Sequence, residues 1–170
     1  MSTPADRIAV RSPPSVMNFQ EEYSTSVCAL PMNLKDLLLA KKSWHEAAIF
    51  DEEGCTVCST VAIKDTNITN FLTAFDDRDR AISTGFMWQG KRFEVHRWHP
   101  PLVYGRRGLP SESEGIALLK GKSKSEKELF VVISYKLPSL SSREIPQLIE
   151  FFENNIGTVD LVDFPEINQQ

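Results

Sequence analysis

Basic side chains are concentrated around the segment GFMWQGKRFEVHR, residues 85–97. Between Lys91 and Lys127 there are nine Lys or Arg residues and four Asp or Glu residues, a local charge of +5 in a chain whose net charge is −4. Guanidinium groups bind carboxylates and phosphates through paired hydrogen bonds, so this asymmetry predicts a surface for an acidic partner. The alternative is that the charges keep exposed strand edges solvated and prevent aggregation.

Nucleic acid is one such acidic partner, because aromatic residues are interleaved with the basic ones. The aromatic residues are Trp88, Phe93, Trp98 and Tyr104, and the basic residues are Arg92, Arg97, Arg106 and Arg107. Such a mixture can stack bases and bind phosphates. However, the net charge of the whole chain is negative, and strand alternation directs half of the rings into a core. We therefore do not expect nucleic-acid binding.

Cysteines and histidines can hold a metal only where their spacing brings them together. Cys55-Thr-Val-Cys58 resembles half of a metal or redox motif, but in a turn followed by a strand the two thiols point to opposite faces. The other candidates are Cys28, His45, His96 and His99. They show no paired spacing, and an odd count of three cysteines favours reduced thiols. We expect neither a metal nor a cofactor.

Catalytic motifs are not found in the sequence. It has no Walker loop, no GxGxxG and no GxSxG, and His45-Glu46 lacks the second histidine of the metalloprotease pattern. The serines have no identifiable base. We predict that the protein is not an enzyme.

The chain of 170 residues suits one domain with tails. Residues 1–30 mix Pro, Ser and Thr without a regular period, which predicts a flexible N-terminal extension. We assign residues 31–158 to the domain and residues 159–170 to a C-terminal tail. The longest apolar runs are far shorter than the roughly 20 residues of a membrane span, and the first residues lack a secretory signal. We therefore expect a cytoplasmic monomer.

The first half of the domain has the pattern of a helix, a hairpin and a second helix. The first helix starts with Asn33 as its cap, and the hairpin turns at residues 51–54, where glycine supplies a positive φ. The second helix lies in DTNITNFLTAF, is capped by Asp65 or Thr66, and is followed by DDRDR as a solvated connection. The predicted buried positions are Leu34, Leu37 and Leu38 in the first helix and Ile68, Leu72 and Phe75 in the second.

The second half of the domain is predicted to consist mainly of strands. The basic hairpin is followed by a strand at residues 102–104, a loop from Gly105 to Gly115, and the strands IALLKG and LFVVISY. A final helix closes the domain, and its predicted landmarks are Ser141 or Ser142 as cap, Pro146 in the first turn and Gly157 at the end. This order predicts an α+β fold in which a central antiparallel sheet of about six to seven strands carries N- and C-terminal helices.

Five segments in this order resemble the profilin family. HEAAIFDEEGCTV is similar to the family's first hairpin, STGFMWQGKRFEVHR to its glycine-bounded basic hairpin, and LVYGRRG to its strand and basic loop. IALLKG is similar to the next strand, and LFVVISYKLPSLSSREIPQLIEF to the last strand and C-terminal helix. The resemblance covers residues 33–157 and implies a profilin-like fold and an actin-monomer-binding protein associated with the cytoskeleton.

The resemblance also implies which residues bind actin, from the strands around the basic hairpin and the start of the C-terminal helix. By position they are Arg92, Val95, Arg97, Arg106, Arg107, Lys120, Arg143, Gln147 and Glu150. Strand alternation would place Val95 and Arg97 on one exposed face. The sequence departs from the family at Glu94, at Pro146, and in about four extra residues in the loop LPSESE.

Two further ligands are implied by the resemblance. Anionic phosphoinositides would bind Arg97, Arg106, Arg107 and Lys120. Proline-rich peptides would bind between the terminal helices, where the corresponding or neighbouring residues are Leu34, Trp44, Cys58, Phe151 and Phe152. Because most of the family's groove aromatics are replaced, we predict weak or altered binding of proline motifs, with Phe19, Tyr23 or Pro13-Pro14 of the extension filling or occluding the groove. The alternative to actin binding is a profilin-like module for lipid or proline motifs.

Overall fold

An antiparallel β-sheet forms the centre of the computed structural model, which describes residues 34–64 and 68–161. The strands are β1 Trp44–Asp51, β2 Thr56–Ser59, β3 Phe86–Trp88, β4 Lys91–His99, β5 Leu102–Arg107, β6 Glu114–Ser123, β7 Glu128–Lys136 and β8 Gly157–Thr158. Their order is β2-β1-β7-β6-β5-β4-β3, and β8 pairs with β6. The predicted α+β fold is confirmed, with seven strands in the main order and a short eighth strand within the described ranges.

Helices cover both faces of this sheet. They are α1 Leu34–Ala40, α2 Thr69–Leu72 with a 3-10 turn at Thr73–Phe75, α3 Arg78–Thr84, and α4 Ser141–Asn155. Side chains of α1 and α4 pack into one hydrophobic cluster, and those of α2 and its 3-10 turn pack into the other. We call the two sides of the sheet the α4 face and the α2 face. The predicted caps Asn33, Asp65 and Thr66, the N-terminal extension and residues 162–170 lie outside the described residues.

Strand β7 contributes side chains to the hydrophobic clusters on both faces of the sheet. Leu129, Val131 and Ile133 point to the α4 face, whereas Phe130 and Val132 point to the α2 face. A strand that is buried on both faces reads as a continuous apolar run, and LFVVIS is such a run. The strand therefore forms the centre of the sheet, between β1 and β6.

The chain between α2 and β3 differs from the prediction. The tract DDRDR was predicted to be a connection, but most of it belongs to α3, which begins after Asp77. The Asp77 carboxylate accepts a hydrogen bond from the backbone N–H of Arg80 at 3.0 Å, so an acidic residue caps the helix. In the preceding turns the fully buried residues are Phe71 and Ala74, while the predicted positions Ile68, Leu72 and Phe75 are half-buried against them.

Two glycines that were predicted to bound a long loop lie in strands instead. Gly105 belongs to β5 and Gly115 to β6, and the two strands remain paired from Leu102 with Leu119 to Arg107 with Glu114. A Cβ atom at Gly105 would overlap the carbonyl oxygen of Glu94. Close approach of two backbones explains this glycine, which the sequence pattern alone reads as a loop residue.

The C-terminal helix also departs from its predicted boundaries. Its cap position is Leu140 and makes no side-chain cap bond, while the Ser141 hydroxyl accepts a hydrogen bond from the Tyr135 hydroxyl at 2.8 Å. Pro146 is the sixth helical residue and lies in the second turn rather than the first. The helix ends at Asn155, and Gly157 begins β8 instead of ending the helix.

Candidate protein-interaction surface

A β-bulge in β4 decides which basic side chains reach the α4 face. Val95 pairs with Gly105, but the next pair is Arg97 with Tyr104, so His96 is an extra residue and strand alternation breaks between them. Val95 is only 6% exposed and packs in the core of the α2 face. Arg97 is exposed on the opposite side, beside Tyr104. The prediction that Val95 and Arg97 share one exposed face is therefore wrong.

Arg97 and Arg106 line a cleft at the start of α4, which we call the basic cleft. Its volume is about 380 Å³, and its lining residues are His96, Arg97, Tyr104, Gly105, Arg106 and Ser141. Both arginines are exposed, and among the residues that the structure describes neither guanidinium group forms an ion pair. Both groups are therefore available to carboxylates or phosphates of a ligand without loss of an internal ion pair.

An apolar groove continues from the basic cleft along α4. Its volume is about 550 Å³, and it lies between β5 and the outer side of the helix. Leu102, Tyr104, Ile145, Pro146 and Ile149 supply its apolar walls. The polar lining residues are Ser141, Ser142, Glu150 and Glu153. Because Tyr104 and Ser141 line both the basic cleft and the apolar groove, the two form one continuous surface.

Three predicted actin-binding residues lie in helix α4. Arg143 and Glu150 are exposed and Gln147 is half-buried. They are four and three residues apart, so they follow one stripe of the helix. Of the three residues, Glu150 lines the apolar groove, whereas Arg143 and Gln147 are not among its lining residues.

Arg107 and Lys120 lie on the α2 face, away from the basic cleft, and both are engaged in ion pairs. Arg107 Nε is 3.4 Å from Glu114 Oε2, and its guanidinium group lies over the Phe93 ring. Lys120 Nζ is 3.0 Å from Glu128 Oε1. The predicted set of four basic residues for phosphoinositides is therefore divided between two faces of the sheet and does not form one patch.

Arg92 is held by the end of helix α3. Its Nε donates to the Thr84 carbonyl oxygen at 3.1 Å, and its NH2 group donates to the Ser83 carbonyl oxygen at 3.0 Å. Basic side chains commonly bind the free carbonyl groups at a helix C-terminus. In this position Arg92 joins β4 to α3.

Three cationic side chains surround the Glu114 carboxylate on the α2 face, and the sequence pattern did not predict this cluster. Its carboxylate oxygens lie 3.3 Å from Lys91 Nζ, 3.4 Å from Arg107 Nε and 3.2 Å from Lys136 Nζ. Burial by itself would raise the pKa of Glu114, but the hydrogen bonds and charges of Lys136 and Lys91 outweigh it and lower the pKa from its ordinary value. Only the strand register, in which Glu114 is opposite both Arg107 and Lys136, reveals this cluster.

The residues predicted for proline-motif binding are mostly in the core of the α4 face. Leu34, Trp44, Phe151 and Phe152 are between 0% and 7% exposed. Trp44 and Phe151 pack edge to face with their ring centroids 5.3 Å apart. Cys58 is half-buried against the same cluster. These aromatic rings stabilise the core and offer no exposed face on which a proline ligand could stack.

The cysteine pair does not assemble into a metal site in the described part of the chain. Cys55 is exposed, and Cys58 is half-buried, which raises the pKa of the Cys58 thiol. Ligand atoms of Asp51, Glu53 and Cys55 lie within 4.8 Å of one another at the turn between β1 and β2. The Asp51 carboxylate accepts hydrogen bonds from the backbone N–H groups of Glu53 and Cys55 there, which accounts for the proximity.

Comparison with known proteins agrees with the fold. The sequence model of the profilin family matches residues 33–142. Profilin II of Acanthamoeba castellanii superposes with a TM-score of 0.59 at 20% sequence identity, covering 72% of this chain and 93% of that one. Profilin IA of the same organism superposes with a TM-score of 0.56 at 18% identity, covering 72% of this chain and 94% of that one. No curated protein sequence matches the chain.

The match to the family model extends over more than half of the chain, and the sheet order and helix placement agree with it. The chain therefore belongs to the profilin family, a family of non-enzymatic actin-binding proteins. Among the described helices, none is long and apolar enough to cross a lipid bilayer.

Proposed function

We propose that this protein binds actin monomers through the basic cleft and the apolar groove and so regulates actin polymerisation in the cytoplasm. Membership of the profilin family supports the class of partner. The observation that carries the proposal for this surface is the continuity of an apolar groove with two guanidinium groups that form no ion pair with any described residue. A protein partner can bury the groove while its carboxylates bind the arginines.

The structure narrows the residues that we propose for actin binding. Arg97, Arg106 and Glu150 line the continuous surface, and Arg143 and Gln147 belong to the same helix as Glu150. Val95 is in the core, Arg92 is bound to α3, and Arg107 and Lys120 are ion-paired on the other face. We therefore propose the first group as the binding residues and assign the second group to the stability of the domain.

An actin assembly assay tests this proposal. Pyrene-labelled actin monomers are polymerised with and without the full chain, and we expect slower spontaneous assembly when the protein is present. The double variant Arg97→Glu, Arg106→Glu is expected to weaken binding by at least about 2 kcal/mol, or roughly 30-fold, because each reversal opposes an acidic partner. Equal inhibition by the wild type and this variant would contradict the proposed surface.

The matched control makes the same change of charge away from the surface. Lys122 and Lys124 are exposed near the end of β6, and Lys122 pairs with Thr158 of β8 rather than lying near the basic cleft. The double variant Lys122→Glu, Lys124→Glu is expected to inhibit assembly as the wild type does. A similar loss in both double variants would show that net charge, and not the site, determines binding.

Anionic phosphoinositides are a second ligand that the basic cleft supports. Arg97 and Arg106 are exposed and have no ion-pair partner in residues 34–64 and 68–161, so they would attract clustered phosphates, and they also belong to the proposed actin surface. We propose that such lipids compete with actin, and that Arg107 and Lys120 contribute little because acidic residues already neutralise them.

Proline-rich peptides should bind this protein weakly. The rings that would have formed the groove are buried in the core of the α4 face. Ligands in the polyproline II conformation depend on exposed aromatic faces, so little binding energy remains. Titration of the full chain with a proline-rich peptide, followed by tryptophan fluorescence, is expected to show no saturable change below millimolar concentration. A micromolar dissociation constant would contradict this expectation.

A further inference from the structure

The outer side of helix α4, away from the sheet, carries charges that do not serve the stability of the helix. Arg143 is in the first turn, and Glu150 and Glu153 are in the last two turns. This order opposes the helix dipole, because carboxylates stabilise the N-terminus of a helix and cations stabilise its C-terminus. Glu144, the acidic residue of the first turn, is fully buried and does not belong to this side. The outer charges therefore suit an external partner of opposite polarity.

Apolar side chains lie between the basic and the acidic end. Pro146 is exposed and Ile149 is half-buried, and both line the apolar groove together with the two glutamates. Arg143, Pro146 and Glu150 follow one another at intervals of three and four residues, so they lie along one side of the helix. We call this side the α4 stripe, and its residues are Arg143, Pro146, Ile149, Glu150 and Glu153.

The charged residues of the α4 stripe are not neutralised within the described ranges of the chain. Arg143, Glu150 and Glu153 are exposed, and none of them forms an ion pair with a described residue. The basic cleft adjoins the start of α4, because Ser141 is one of its lining residues. Its guanidinium groups therefore lie at the same end of the helix as Arg143. A fitting partner presents carboxylates at this end, cations at the other end and apolar side chains in between.

A second copy of the chain in the antiparallel orientation has these three properties. In a two-fold arrangement the same patch forms both halves of the interface, so every contact between two residues occurs twice. If the axis crosses α4 midway between Pro146 and Ile149, each Pro146 lies level with the partner's Ile149. Arg143 then lies between the levels of the partner's Glu150 and the partner's Glu153. A single position of the axis thus matches the apolar and the charged residues together.

Helix geometry favours these ion pairs between copies over ion pairs within one copy. Arg143 and Glu150 of one helix are seven residues apart, which is about two turns and about 10 Å along the axis. Across the two-fold axis, the levels of the partner's Glu150 and the partner's Glu153 are only about 3 Å and about 1.5 Å from that of Arg143. The interaxial distance of packed helices is about 8–10 Å, which these long side chains can bridge.

We propose that two copies of this protein associate through antiparallel α4 helices, with Arg143 of each copy between Glu150 and Glu153 of the other. One helix against another is a small contact compared with the roughly 800 Å² per partner of stable complexes, so we expect a dissociation constant of about 0.1 mM. At low micromolar concentration the monomer predominates, in line with the expectation from the sequence. The dimer covers the surface to which we assign actin binding. This regulatory consequence rests on the proposed function, whereas the self-association does not.

Charge reversal tests the two-fold arrangement in the full chain. Sedimentation equilibrium from about 10 µM to about 1 mM should show the average mass of the wild type rising from one chain toward two. Arg143→Glu and Glu150→Arg, both at exposed positions, should each weaken self-association at least about tenfold, because each substitution places like charges opposite one another. Circular dichroism checks that both variants are folded.

A mixture of the two variants is the decisive sample. In the mixed dimer, the new carboxylate of one chain meets the new guanidinium group of the other, and the remaining Arg143 meets the remaining Glu150. The mixture should therefore associate about as strongly as the wild type, although neither variant does so alone.

Matched controls make the same changes of charge away from α4. Lys122 is exposed on the face of β6 that Ile116 and Leu118 share, which is the α2 face, and Glu52 is exposed in the turn between β1 and β2. Lys122→Glu and Glu52→Arg should each self-associate as the wild type does. A loss in these controls equal to that in the α4 variants would assign the effect to net charge and overturn the proposal.

The remaining outcomes are distinguishable from failure of the proposed function, because the samples contain no actin. A wild type that stays monomeric at about 1 mM overturns the dimer. Unchanged self-association in both single variants assigns the contact to another surface and overturns it as well. Loss in both variants without recovery in their mixture excludes the antiparallel arrangement, and recovery supports it. Absence of actin binding, in contrast, would overturn the proposed function alone.

Discussion

Arg106 and Arg107 are adjacent in β5, but their side chains point to opposite faces of the sheet and make different contacts. Arg106 is exposed in the basic cleft and forms no ion pair in the described part of the chain. Arg107 points to the opposite face, where it pairs with Glu114 and lies over the Phe93 ring. A ligand that recruited Arg107 would have to break these contacts, and its net gain would be small. Binding is therefore expected to depend on Arg106.

The cluster around Glu114 leads to a prediction about stability. Replacement of Glu114 by Gln leaves Lys91, Arg107 and Lys136 close together without a counter-charge. At pH 7 we expect the Glu114→Gln variant to lose about 1.5–3 kcal/mol of unfolding free energy, the range for hydrogen bonds to charged groups. Urea unfolding followed by circular dichroism measures this difference.

The pH dependence of that difference has a definite sign. The pKa of Glu114 is lower in the folded protein than its ordinary value of 4.5. Its ionised form therefore contributes stability above about pH 4.5, and this contribution is lost as the pH falls through the lower, folded-state pKa. The wild type and the Glu114→Gln variant should approach equal stability once the pH falls below that folded-state pKa. A difference that stayed constant from pH 7 to pH 3 would contradict the role of the ionised carboxylate, and Glu112→Gln, in the exposed loop, is the control.

For individual residues, the sequence predicted the residue types of the proposed site but not the directions in which their side chains point. Charge counting identified the basic region, and the resemblance to profilins identified Arg97 and Arg106. Strict alternation then placed Val95 beside Arg97, because a single extra residue in a strand leaves no mark in the pattern of residue types. The role of Glu114 depends on strand register, which connects residues that are distant in sequence.

Among the elements, the pair of strands β4 and β5 determines the shape of the proposed site. The bulge at His96 turns Arg97 toward α4, and Gly105 allows the backbone of β4 to approach opposite it. Any residue with a Cβ atom at position 105 would push against the Glu94 carbonyl group. The direction of Arg97 and the glycine at position 105 therefore both depend on the close approach of β4 and β5 beside the bulge.

Replacement of Gly105 by Ala tests this arrangement. Because the added methyl group must displace backbone atoms, we expect a loss of about 1–3 kcal/mol of unfolding free energy, the range for overpacked cores. Urea unfolding provides the measurement. Lys122→Ala, at an exposed position of β6, should change stability by less than about 0.5 kcal/mol. If Gly105→Ala were as stable as the wild type, the close approach of the two strands would be refuted.

Elements with a strong period were predicted well, and those marked by single residues were not. The buried run of β7 and the amphipathic helix α4 were recognised from the sequence because many residues agree in each. Helix α3 was missed because it is short, its first three residues are charged and, of its seven residues, only Ala81 is buried. Gly105 and Gly115 were interpreted as loop residues because a glycine required by close packing has the same sequence signal as one required by a turn.

Within the described part of the molecule, the arginines of the basic cleft and two ion-paired basic residues lie on opposite sides of the sheet. Arg97 and Arg106 are on the α4 face, while Arg107 and Lys120 are on the α2 face with acidic partners. The overall fold could be predicted because five segments occur in the order of one family. The division of basic residues between the two faces could not be predicted, because it depends on the strand register, the β-bulge and the ion pairs together.

A flat membrane can contact only one of these sides at a time, which leads to a last prediction. Vesicles that contain a phosphoinositide should bind the full chain through Arg97 and Arg106, and reversal of both to Glu should remove about 2 kcal/mol of binding, roughly 30-fold, at about 1 kcal/mol per basic residue. The variant Arg107→Gln, Lys120→Gln should bind nearly as well as the wild type, because acidic neighbours already neutralise these groups. Vesicle sedimentation at two salt concentrations measures both effects, and the electrostatic part should decline at high salt. Equal losses in the two variants would mean that lipid reaches both sides of the sheet, against the geometry of the strands.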